Sequence, residues 1–288
     1  MADAILIAGP TASGKSALAI ELARELGGAI INADSQQVFS DWRILTARPS
    51  AEDEAELPHF LYGHLPLTQA YSVGHWLRDL RPVLDQCRER RLTPIITGGT
   101  GLYFKALTEG IAPIPVTPPE IRARGEAELH SLGLTAFAQQ FARRDPETAR
   151  LIDQENPMRV LRAWEVLETT GRGLADWRTE TEPPLLPLTK CDARVVVPDR
   201  EGLYARCDAR FDQMLELGVL DEVRQVMALN PPPTAPGLKA LGASDLIAHL
   251  DGEIGIATAV ENAKQATRRY AKRQLTWARN QMSAWQVA

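Results

Sequence analysis

The sequence has few cysteines, no long apolar run and no leader-like N-terminus. Its three cysteines lie far apart and form no C-x-x-C pair, so neither a disulfide framework nor a cysteine-rich zinc site is expected. A run of about 18 apolar residues, which a membrane span needs, is missing. The first residues, Met-Ala-Asp, place no basic segment before an apolar stretch, so no signal peptide is predicted. We expect a cytoplasmic protein in a reducing compartment, without membrane contact.

Charge of both signs is present, but it is unevenly distributed along the chain. The 288 residues are 44% hydrophobic and 24% charged, which is typical of a globular protein with a sizeable core. The net charge of −5 argues mildly against a nucleic-acid partner. However, residues 262–288 contain six basic side chains and no acidic one. This asymmetry indicates an anion-binding surface on an otherwise acidic protein.

The order of apolar segments predicts an α/β fold. Residues 4–8, 29–33 and 94–97 are short apolar runs typical of buried strands, and helical patterns at 16–26 and 74–91 separate them. Alternating strands and helices form a parallel sheet with crossover helices. Proline-rich stretches at 111–119 and 182–187 enclose a charged helical region, and an apolar run at 194–197 predicts a further core strand. We therefore expect a core of residues 1–116 and 188–288 with a helical insertion domain, 117–187.

The first predicted strand runs into a phosphate-binding motif. Residues 9–16 match G-x-x-x-x-G-K-[ST], with Gly9, Pro10, Thr11, Ala12, Ser13, Gly14, Lys15 and Ser16 in order. In such a loop, backbone N–H groups and a helix N-terminus surround phosphate oxygens. Lys15 would supply a point charge and the Ser16 hydroxyl a ligand for Mg²⁺. The motif makes the core P-loop NTPase-like and predicts a site for a diphosphate or nucleotide.

Polar residues follow the second and third predicted strands. Ligands of an open parallel sheet bind at the carboxyl ends of its strands, so Asp34 and Thr100 should face the phosphate loop. Asp34 is a candidate general base or second Mg²⁺ contact, and an Asx-turn or helix cap is an equally good interpretation. Thr100 lies among Gly98, Gly99 and Gly101. Glycines at these positions would permit close approach of a ligand to the backbone, or form a tight turn into a helix.

Several segments in order along the chain resemble tRNA dimethylallyltransferases (tRNA isopentenyltransferases) of the bacterial type. They include the phosphate loop, Asp-Ser-Gln-Gln at 34–37, Gly-Gly-Thr-Gly-Leu-Tyr-Phe-Lys at 98–105, Asn-Pro-Met-Arg-Val-Leu-Arg at 156–162 and Arg-Arg-Tyr-Ala-Lys-Arg-Gln-Leu at 268–275. They span nearly the whole chain, which makes the resemblance much more specific than the phosphate loop alone. One departure is Ala243, which stands where the family usually has tyrosine.

The resemblance implies a reaction and roles for individual residues. A dimethylallyl group would pass from dimethylallyl diphosphate to the exocyclic amine (N6) of the adenine 3′-adjacent to the anticodon, releasing diphosphate. The acceptors would be tRNAs that read codons beginning with U. Asp34 would be the general base, and Thr100 and Arg210 would hold the diphosphate together with the phosphate loop and Mg²⁺. Without the resemblance, Arg210 would be interpreted as a solvated helix arginine.

The resemblance and the charge pattern also imply contacts with the tRNA anticodon stem-loop by a monomeric enzyme. The expected tRNA-binding residues are Asp34, Ser35, Gln36, Gln37, Thr100, Arg122, Met158, Arg159, Val160, Leu161, Arg162, Lys239, Arg268, Lys272, Arg273 and Arg279. Unstacked loop bases are recognised by polar side chains, and RNA backbones by cations. The alternative for the arginines is a solvated charged face, or ion pairs with the core. Tyr270 and Trp277 are expected to anchor the last helix to the core.

Three other functions share parts of this pattern. A small-molecule P-loop kinase would have the same loop, but the basic C-terminal helix would have no evident role. An RNA-binding NTPase without transferase activity would not need Asp34 or Thr100. An enzyme that prenylates free adenine nucleotides would not need the long insertion or the basic helix.

Overall fold

A computed structural model describes residues 2–288 and contains one six-stranded parallel sheet. Its strands are β1 (Ala4–Ala8), β2 (Gly28–Asn32), β3 (His59–Phe60), β4 (Thr93–Gly98), β5 (Cys191–Val195) and β6 (Gln286–Val287), in the spatial order β3-β2-β4-β1-β5-β6. The twelve helices of the described residues are α1 (Lys15–Leu26), α2 (Ala51–Glu56), α3 (Val73–Glu89), α4 (Gly101–Glu109), α5 (Pro119–Arg144), α6 (Pro146–Leu151), α7 (Pro157–Thr170), α8 (Leu174–Arg178), α9 (Arg200–Glu216), α10 (Val219–Ala228), α11 (Ala243–Leu250) and α12 (Ile256–Gln281).

The centre of the sheet is buried on both faces. All five residues of β1 and of β2 are buried, as expected for strands that crossover helices cover on both sides. β1 pairs with β4 on one side and with β5 on the other, always in parallel. The prediction of a parallel α/β sheet is confirmed. It missed the edge strands β3 and β6, whose two residues each are too short to form a pattern.

The carboxyl ends of β1, β2 and β4 carry the phosphate loop, Asp34 and the turn around Thr100. β1 and β2 both pair with β4, so these three segments emerge side by side. The C-terminal helix α12 packs against α9, α11 and α4. Side chains from α9 and α12 therefore reach the same edge of the sheet, although they lie far from it in sequence.

The chain divides into two compact units, residues 1–109 with 185–288 and residues 110–184. The first contains the whole sheet. The second consists of α5 to α8, and α5 is interrupted at Gly133, whose backbone is not helical. The second unit has its own core, in which Phe137, Phe141 and Trp164 pack together.

Val160 and Leu161 belong to that core, with 0% and 2% of their surfaces exposed. Their side chains are enclosed by apolar neighbours, so the expectation that they contact tRNA through their side chains is corrected. Within residues 2–288, no helix is long and apolar enough to cross a membrane.

Candidate active site

The phosphate loop connects β1 directly to α1, which begins at Lys15. The amine of Lys15 donates a hydrogen bond to the carbonyl oxygen of Pro10 at 3.3 Å. Burial lowers the pKa of Lys15 to about 8, and nearby Asp34 opposes this shift while Arg210 adds to it. The loop therefore holds a desolvated cation, and an anionic ligand would favour its charged form.

Helix α9 contributes two arginines to the same loop. Arg206 donates from Nε to the carbonyl oxygen of Ala12 at 3.0 Å, and Arg210 donates to the hydroxyl of Thr11. Burial lowers the pKa of Arg210, against the opposing effects of Cys207 and Asp34. Arg210 is therefore not a solvated helix arginine, and the interpretation that the sequence alone favoured is wrong. Arg206 is a contact that the sequence analysis did not single out.

The backbone beside Asp34 is fixed by a buried asparagine. Asn32 accepts a hydrogen bond from the Asp34 N–H at 2.8 Å and donates to the carbonyl oxygens of Asp34 and Leu61, both at 2.9 Å. Oδ1 of Asp34 accepts from the N–H of Gln36 at 3.0 Å, which is the expected Asx-turn. The turn occupies one carboxylate oxygen, and Asp34 also lines the cleft described below. The two interpretations of this residue are thus compatible.

The turn after β4 is locked onto the segment after β2. The hydroxyl of Thr100 accepts from the N–H of Ser35 at 2.9 Å, and the N–H of Thr100 donates to the carbonyl oxygen of Ala33 at 3.1 Å. A Cβ on Gly98 would lie 2.1 Å from the Ala33 carbonyl group. Glycine at position 98 permits close approach of the segment that follows the neighbouring strand β2, and α4 begins directly after Thr100, as the alternative of a tight turn into a helix predicts.

An amide of α12 connects the two loops. Oε1 of Gln274 accepts from the N–H of Thr11 at 2.8 Å, and Nε2 donates to the carbonyl oxygen of Gly99, also at 2.8 Å. Gln274 is 8% exposed. Local sequence patterns do not predict this role, because the partners of Gln274 lie 263 and 175 residues away. A polar residue on the buried side of an amphipathic helix was the available signal.

Several of these groups line a cleft that is open to solvent. Thr11, Asp34 and Arg210 contribute polar groups to its wall, and Leu45, Phe211, Met214 and Leu241 contribute apolar side chains. The rest of the lining consists of Gln36, Thr46, Cys207, Thr267 and Tyr270. Tyr270 is half-buried in this wall, and burial followed by the charge of Asp34 raises its pKa. Tyr270 therefore contributes to the cleft, whereas Trp277 packs against the core of the sheet unit.

The basic helix carries two kinds of cation. Lys264 pairs with Asp212 at 2.6 Å, and Arg268 pairs with Asp208 at 2.7 Å and with Glu261 at 2.8 Å. Lys272, Arg273 and Arg279 are exposed, and within residues 2–288 none has an acidic partner within 4 Å. The guanidinium of Arg273 lies over the ring of Tyr270, 5.4 Å from its centre. The ion pairs of Arg268 correct the expectation that it acts as a free phosphate contact.

Other expected tRNA contacts differ in how free their side chains are. Gln37 donates to the carbonyl oxygens of Thr46 and Ala47 at 2.9 and 2.7 Å, so its amide N–H groups hold a loop and do not face a ligand. Gln36 faces the cleft, and its Oε1 is buried without a hydrogen-bond partner in the described chain. Ser35 is engaged by Thr100, and Lys239 is exposed.

In the helical unit, the expected arginines make local pairs. Arg122 pairs with Glu126 at 3.1 Å, Arg159 approaches an Asp153 oxygen at 3.9 Å, and Arg162 donates to the hydroxyl of Thr117 at 2.7 Å. All three side chains remain at least 44% exposed. Met158 is 56% exposed. The exposed pairs of Arg122 and Arg159 are weak enough to be exchanged for RNA phosphates, whereas Arg162 also pairs with the buried Glu165 at 3.4 Å.

The residues at the phosphate loop fit a magnesium ion that is coordinated mainly by the phosphate groups of a bound substrate. Among residues 2–288, no cluster of three histidine, cysteine or carboxylate side chains forms a metal site. Mg²⁺ is commonly held by one or two protein oxygens together with substrate phosphates and water. Ser16 is the second residue of α1, and its side chain is exposed. Its hydroxyl could therefore supply one of these oxygens.

A parallel sheet whose first strand runs into a phosphate loop, with Asp34 beyond the end of β2 on the same edge of the sheet, defines an α/β protein with a P-loop NTPase-like core. Family models narrow this class. The model described as "IPP transferase" matches residues 37–281, and that described as "Isopentenyl transferase" matches residues 2–59.

Curated relatives and solved structures agree with the family models. A tRNA dimethylallyltransferase of Cereibacter sphaeroides is 56% identical over 98% of this chain and 87% of its own length. One from Ruegeria is 52% identical over 98% and 94%. The tRNA isopentenylpyrophosphate transferase of Bacillus halodurans is similar in structure, with a TM-score of 0.68 and 30% identity over 99% of this chain and 88% of that chain. A eukaryotic dimethylallyltransferase acting on tRNA has a TM-score of 0.81 and 26% identity over 96% and 69%. The chain belongs to the tRNA dimethylallyltransferase (IPP transferase) family.

Proposed function

We propose that this protein transfers a dimethylallyl group from dimethylallyl diphosphate to N6 of the adenine 3′-adjacent to the anticodon, in tRNAs that read codons beginning with U. The observation that carries the proposal is the arrangement of one cleft. Asp34, a carboxylate, shares the cleft with Arg210 and Thr11 of the phosphate loop. A proton acceptor thus lies opposite groups that stabilise an anionic leaving group. Family membership supports this assignment.

The diphosphate end of the donor binds at the phosphate loop. As the C–O bond to the diphosphate breaks, negative charge develops on the departing oxygen. Lys15 and Arg210 lie where they stabilise that charge, and in a desolvated site such charges act more strongly than in water. Ser16 would hold a Mg²⁺ ion together with the diphosphate, and such an ion would neutralise further charge on the leaving group.

The apolar wall of the cleft receives the hydrocarbon end of the donor. Leu45, Phe211, Met214 and Leu241 all line it. Phe211 and Met214 follow Arg210 on α9, so one helix presents a diphosphate contact and the apolar side chains next to it. A nucleotide kinase would instead need a polar pocket for a base.

Asp34 accepts the proton that the amine must lose. The N6 lone pair forms a bond to C1 of the dimethylallyl group, the C1–O bond breaks with its electron pair remaining on diphosphate, and one N6 proton passes to the carboxylate. Oδ1 of Asp34 is engaged by the N–H of Gln36, which leaves Oδ2 as the accepting atom. General-base assistance of this kind contributes about 10²- to 10⁴-fold to a rate.

The tRNA partner is supported by exposed cations in both units. Lys272, Arg273 and Arg279 form an unpaired basic face on α12. The helical unit presents Arg122, Arg159 and Arg162. Cations of this kind bind an RNA backbone by releasing condensed counterions. We propose that the anticodon stem-loop is the part of tRNA that these surfaces contact, and that the enzyme acts as a monomer.

Product analysis tests the proposal. Purified protein is incubated with Mg²⁺, dimethylallyl diphosphate and either an unmodified anticodon stem-loop or adenosine monophosphate. The products are then digested, and their masses are determined by mass spectrometry. We expect an adenosine carrying one dimethylallyl group from the stem-loop arm only. Prenylated adenosine monophosphate would identify a nucleotide prenyltransferase instead. A parallel arm with γ-labelled ATP reports kinase activity, which the proposal predicts to be absent.

A further inference from the structure

We infer that Gln274 is a positioning residue that fixes the distance between the diphosphate site and the turn that carries Thr100. The inference rests on the proposed function for its kinetic consequences. Its structural basis is independent of that function, because it follows from one side chain that bridges two loops. No other side-chain amide in residues 2–288 hydrogen-bonds both the phosphate loop and the turn after β4.

Both ends of the amide are used. Thr11 N–H donates to Oε1 at 2.8 Å, and Nε2 donates to the Gly99 carbonyl at 2.8 Å. A Cβ on Gly99 would lie 2.1 Å from Nε2 and 3.1 Å from Oδ2 of Asp34. The amide is therefore packed directly against the turn, next to the carboxylate oxygen that remains free.

The two loops that Gln274 joins hold opposite sides of the reaction. Thr11 also accepts a hydrogen bond from Arg210, which belongs to the diphosphate side. Gly99 precedes Thr100, whose hydroxyl holds the N–H of Ser35 next to Asp34. A change in the length or polarity of the bridge therefore alters the separation between the leaving group and the base. Misplacement by about 1 Å is enough to reduce a rate by about 100-fold.

The bridge also connects α12 to the site. The helix packs against α9 and α4 through a buried face that includes Ala271, Leu275 and Ala278. Gln274 is the buried polar residue of that face next to the phosphate loop. A buried amide is stable in such a position only when its donor and its acceptor are both satisfied, and here the satisfying partners are the two loops.

The test compares two substitutions with a matched control. Gln274→Met keeps the length of the side chain and removes both hydrogen bonds. Gln274→Glu keeps the acceptor for Thr11 and loses the donor to Gly99, except when the carboxyl group is protonated. Gln265→Met makes the same chemical change at an exposed position of the same helix. For each protein we would measure melting temperature, tRNA Kd, single-turnover prenylation and hydrogen exchange of the loop 9–15.

We expect Gln274→Met to lower the single-turnover rate by about 10- to 100-fold, with tRNA Kd within about twofold of the original. Loop amides should exchange faster in this variant. Gln265→Met should match the original protein in all four measurements. An unchanged rate and unchanged exchange in a folded Gln274→Met protein would overturn the inference.

The glutamate variant adds a readout that loss of stability would not produce. Its rate relative to the original protein, taken at each pH, should recover as pH falls, because the protonated carboxyl group donates to Gly99. Asp34, Lys15, Arg210 and Tyr270 are the titratable groups near this position, and the ratio cancels the part of their titration that the substitution leaves unchanged. A ratio that is constant with pH, together with unchanged exchange of the loop, would contradict the bridge.

Failure of the proposed function is distinguishable from failure of this inference. If the original protein prenylates no RNA, the proposed function fails, while the hydrogen-exchange comparison still decides whether Gln274 fixes the loop. If the original protein is active and Gln274→Met equals it in rate and exchange, only the positioning role fails.

Discussion

The polar groups of the cleft and the exposed cations of α12 are held in place in opposite ways. Thr11 and Gly99 are tied to Gln274 across 263 and 175 residues, and Ser35 is tied to Thr100 across 65. Lys272 and Arg279 are exposed on one helix without acidic partners in the described chain. Changes in the cleft should therefore reduce the rate of transfer, whereas changes on the helix should weaken tRNA binding in small, salt-dependent steps.

The largest effect is expected at Asp34. Asp34→Asn keeps the acceptor of the Asx-turn and removes the base, so turnover should fall by about 10²- to 10⁴-fold with little change in tRNA Kd. Asp85→Asn, at an exposed position of α3, is the matched control. Steady-state prenylation and filter binding measure the two quantities. Turnover near that of the original protein would remove Asp34 from the mechanism.

Lys15 should have the next largest effect, and on a different parameter. Lys15→Ala removes a buried cation from the diphosphate site, so the Kd for dimethylallyl diphosphate should rise by about 10- to 100-fold, while tRNA Kd changes little. Lys190→Ala, a change at an exposed lysine, serves as the control. Calorimetric titration with the donor measures the loss. If donor binding were unaffected and ATP binding fell, the loop would belong to a nucleotide site.

The pH dependence of donor capture follows from the same lysine. Its pKa of about 8 means that the free enzyme loses this positive charge as pH rises above that value. The kcat/KM for the donor should then fall as pH rises above the pKa and level off near the value of Lys15→Ala. Lys15→Arg should flatten this limb, because arginine stays protonated. If kcat/KM of the Lys15→Arg variant fell equally steeply with rising pH, the titrating group would be a residue other than Lys15.

The exposed face of α12 should have a moderate effect that depends on salt. Replacing Lys272, Arg273 and Arg279 together with glutamine should reduce the slope of log K against log salt for tRNA binding by about two to three. The melting temperature should move little, since exposed charges contribute little to stability. Binding measured over a series of salt concentrations gives the slope. An unchanged slope would place the RNA path on the helical unit instead.

Replacing the paired cations of the same helix should have the smallest effect on tRNA binding. Arg268→Gln breaks pairs with Asp208 and Glu261 and should cost about 1 kcal/mol of unfolding free energy, with an unchanged salt slope. Urea denaturation and the salt series measure these two quantities. Loss of slope without loss of stability would show that Arg268 contacts phosphate, and would remove the distinction between the two kinds of cation.

Local patterns made the sheet and the phosphate loop predictable. Apolar runs marked β1, β2 and β4, and the glycines and Lys15 marked the loop, because these signals lie within a few adjacent residues. The same reasoning found Asp34 and Thr100, since strand ends of a parallel sheet share one edge. β3 and β6 were missed because two residues carry no periodicity.

The features that the sequence did not predict depend on contacts between distant segments of the chain. Gln274 could not be assigned a role, because its partners lie in two loops far away in sequence. The ion pairs of Arg268 were not predictable from the sequence. Asp208 lies on another helix, α9, and Glu261 lies just before the basic segment of α12. Val160 and Leu161 were included with their arginine neighbours, although their apolar side chains fill the core of the helical unit.

The central claim is that the phosphate loop holds the diphosphate of a prenyl donor, whose release accompanies transfer of the prenyl group to RNA. The most direct measurement follows labelled dimethylallyl diphosphate in a rapid-quench reaction with an unmodified anticodon stem-loop, counting inorganic diphosphate and prenylated adenosine in the same samples. We expect inorganic diphosphate and prenylated adenosine to appear together in equal amounts, without consumption of ATP. Formation of ADP, or release of diphosphate without prenylated RNA, would contradict it.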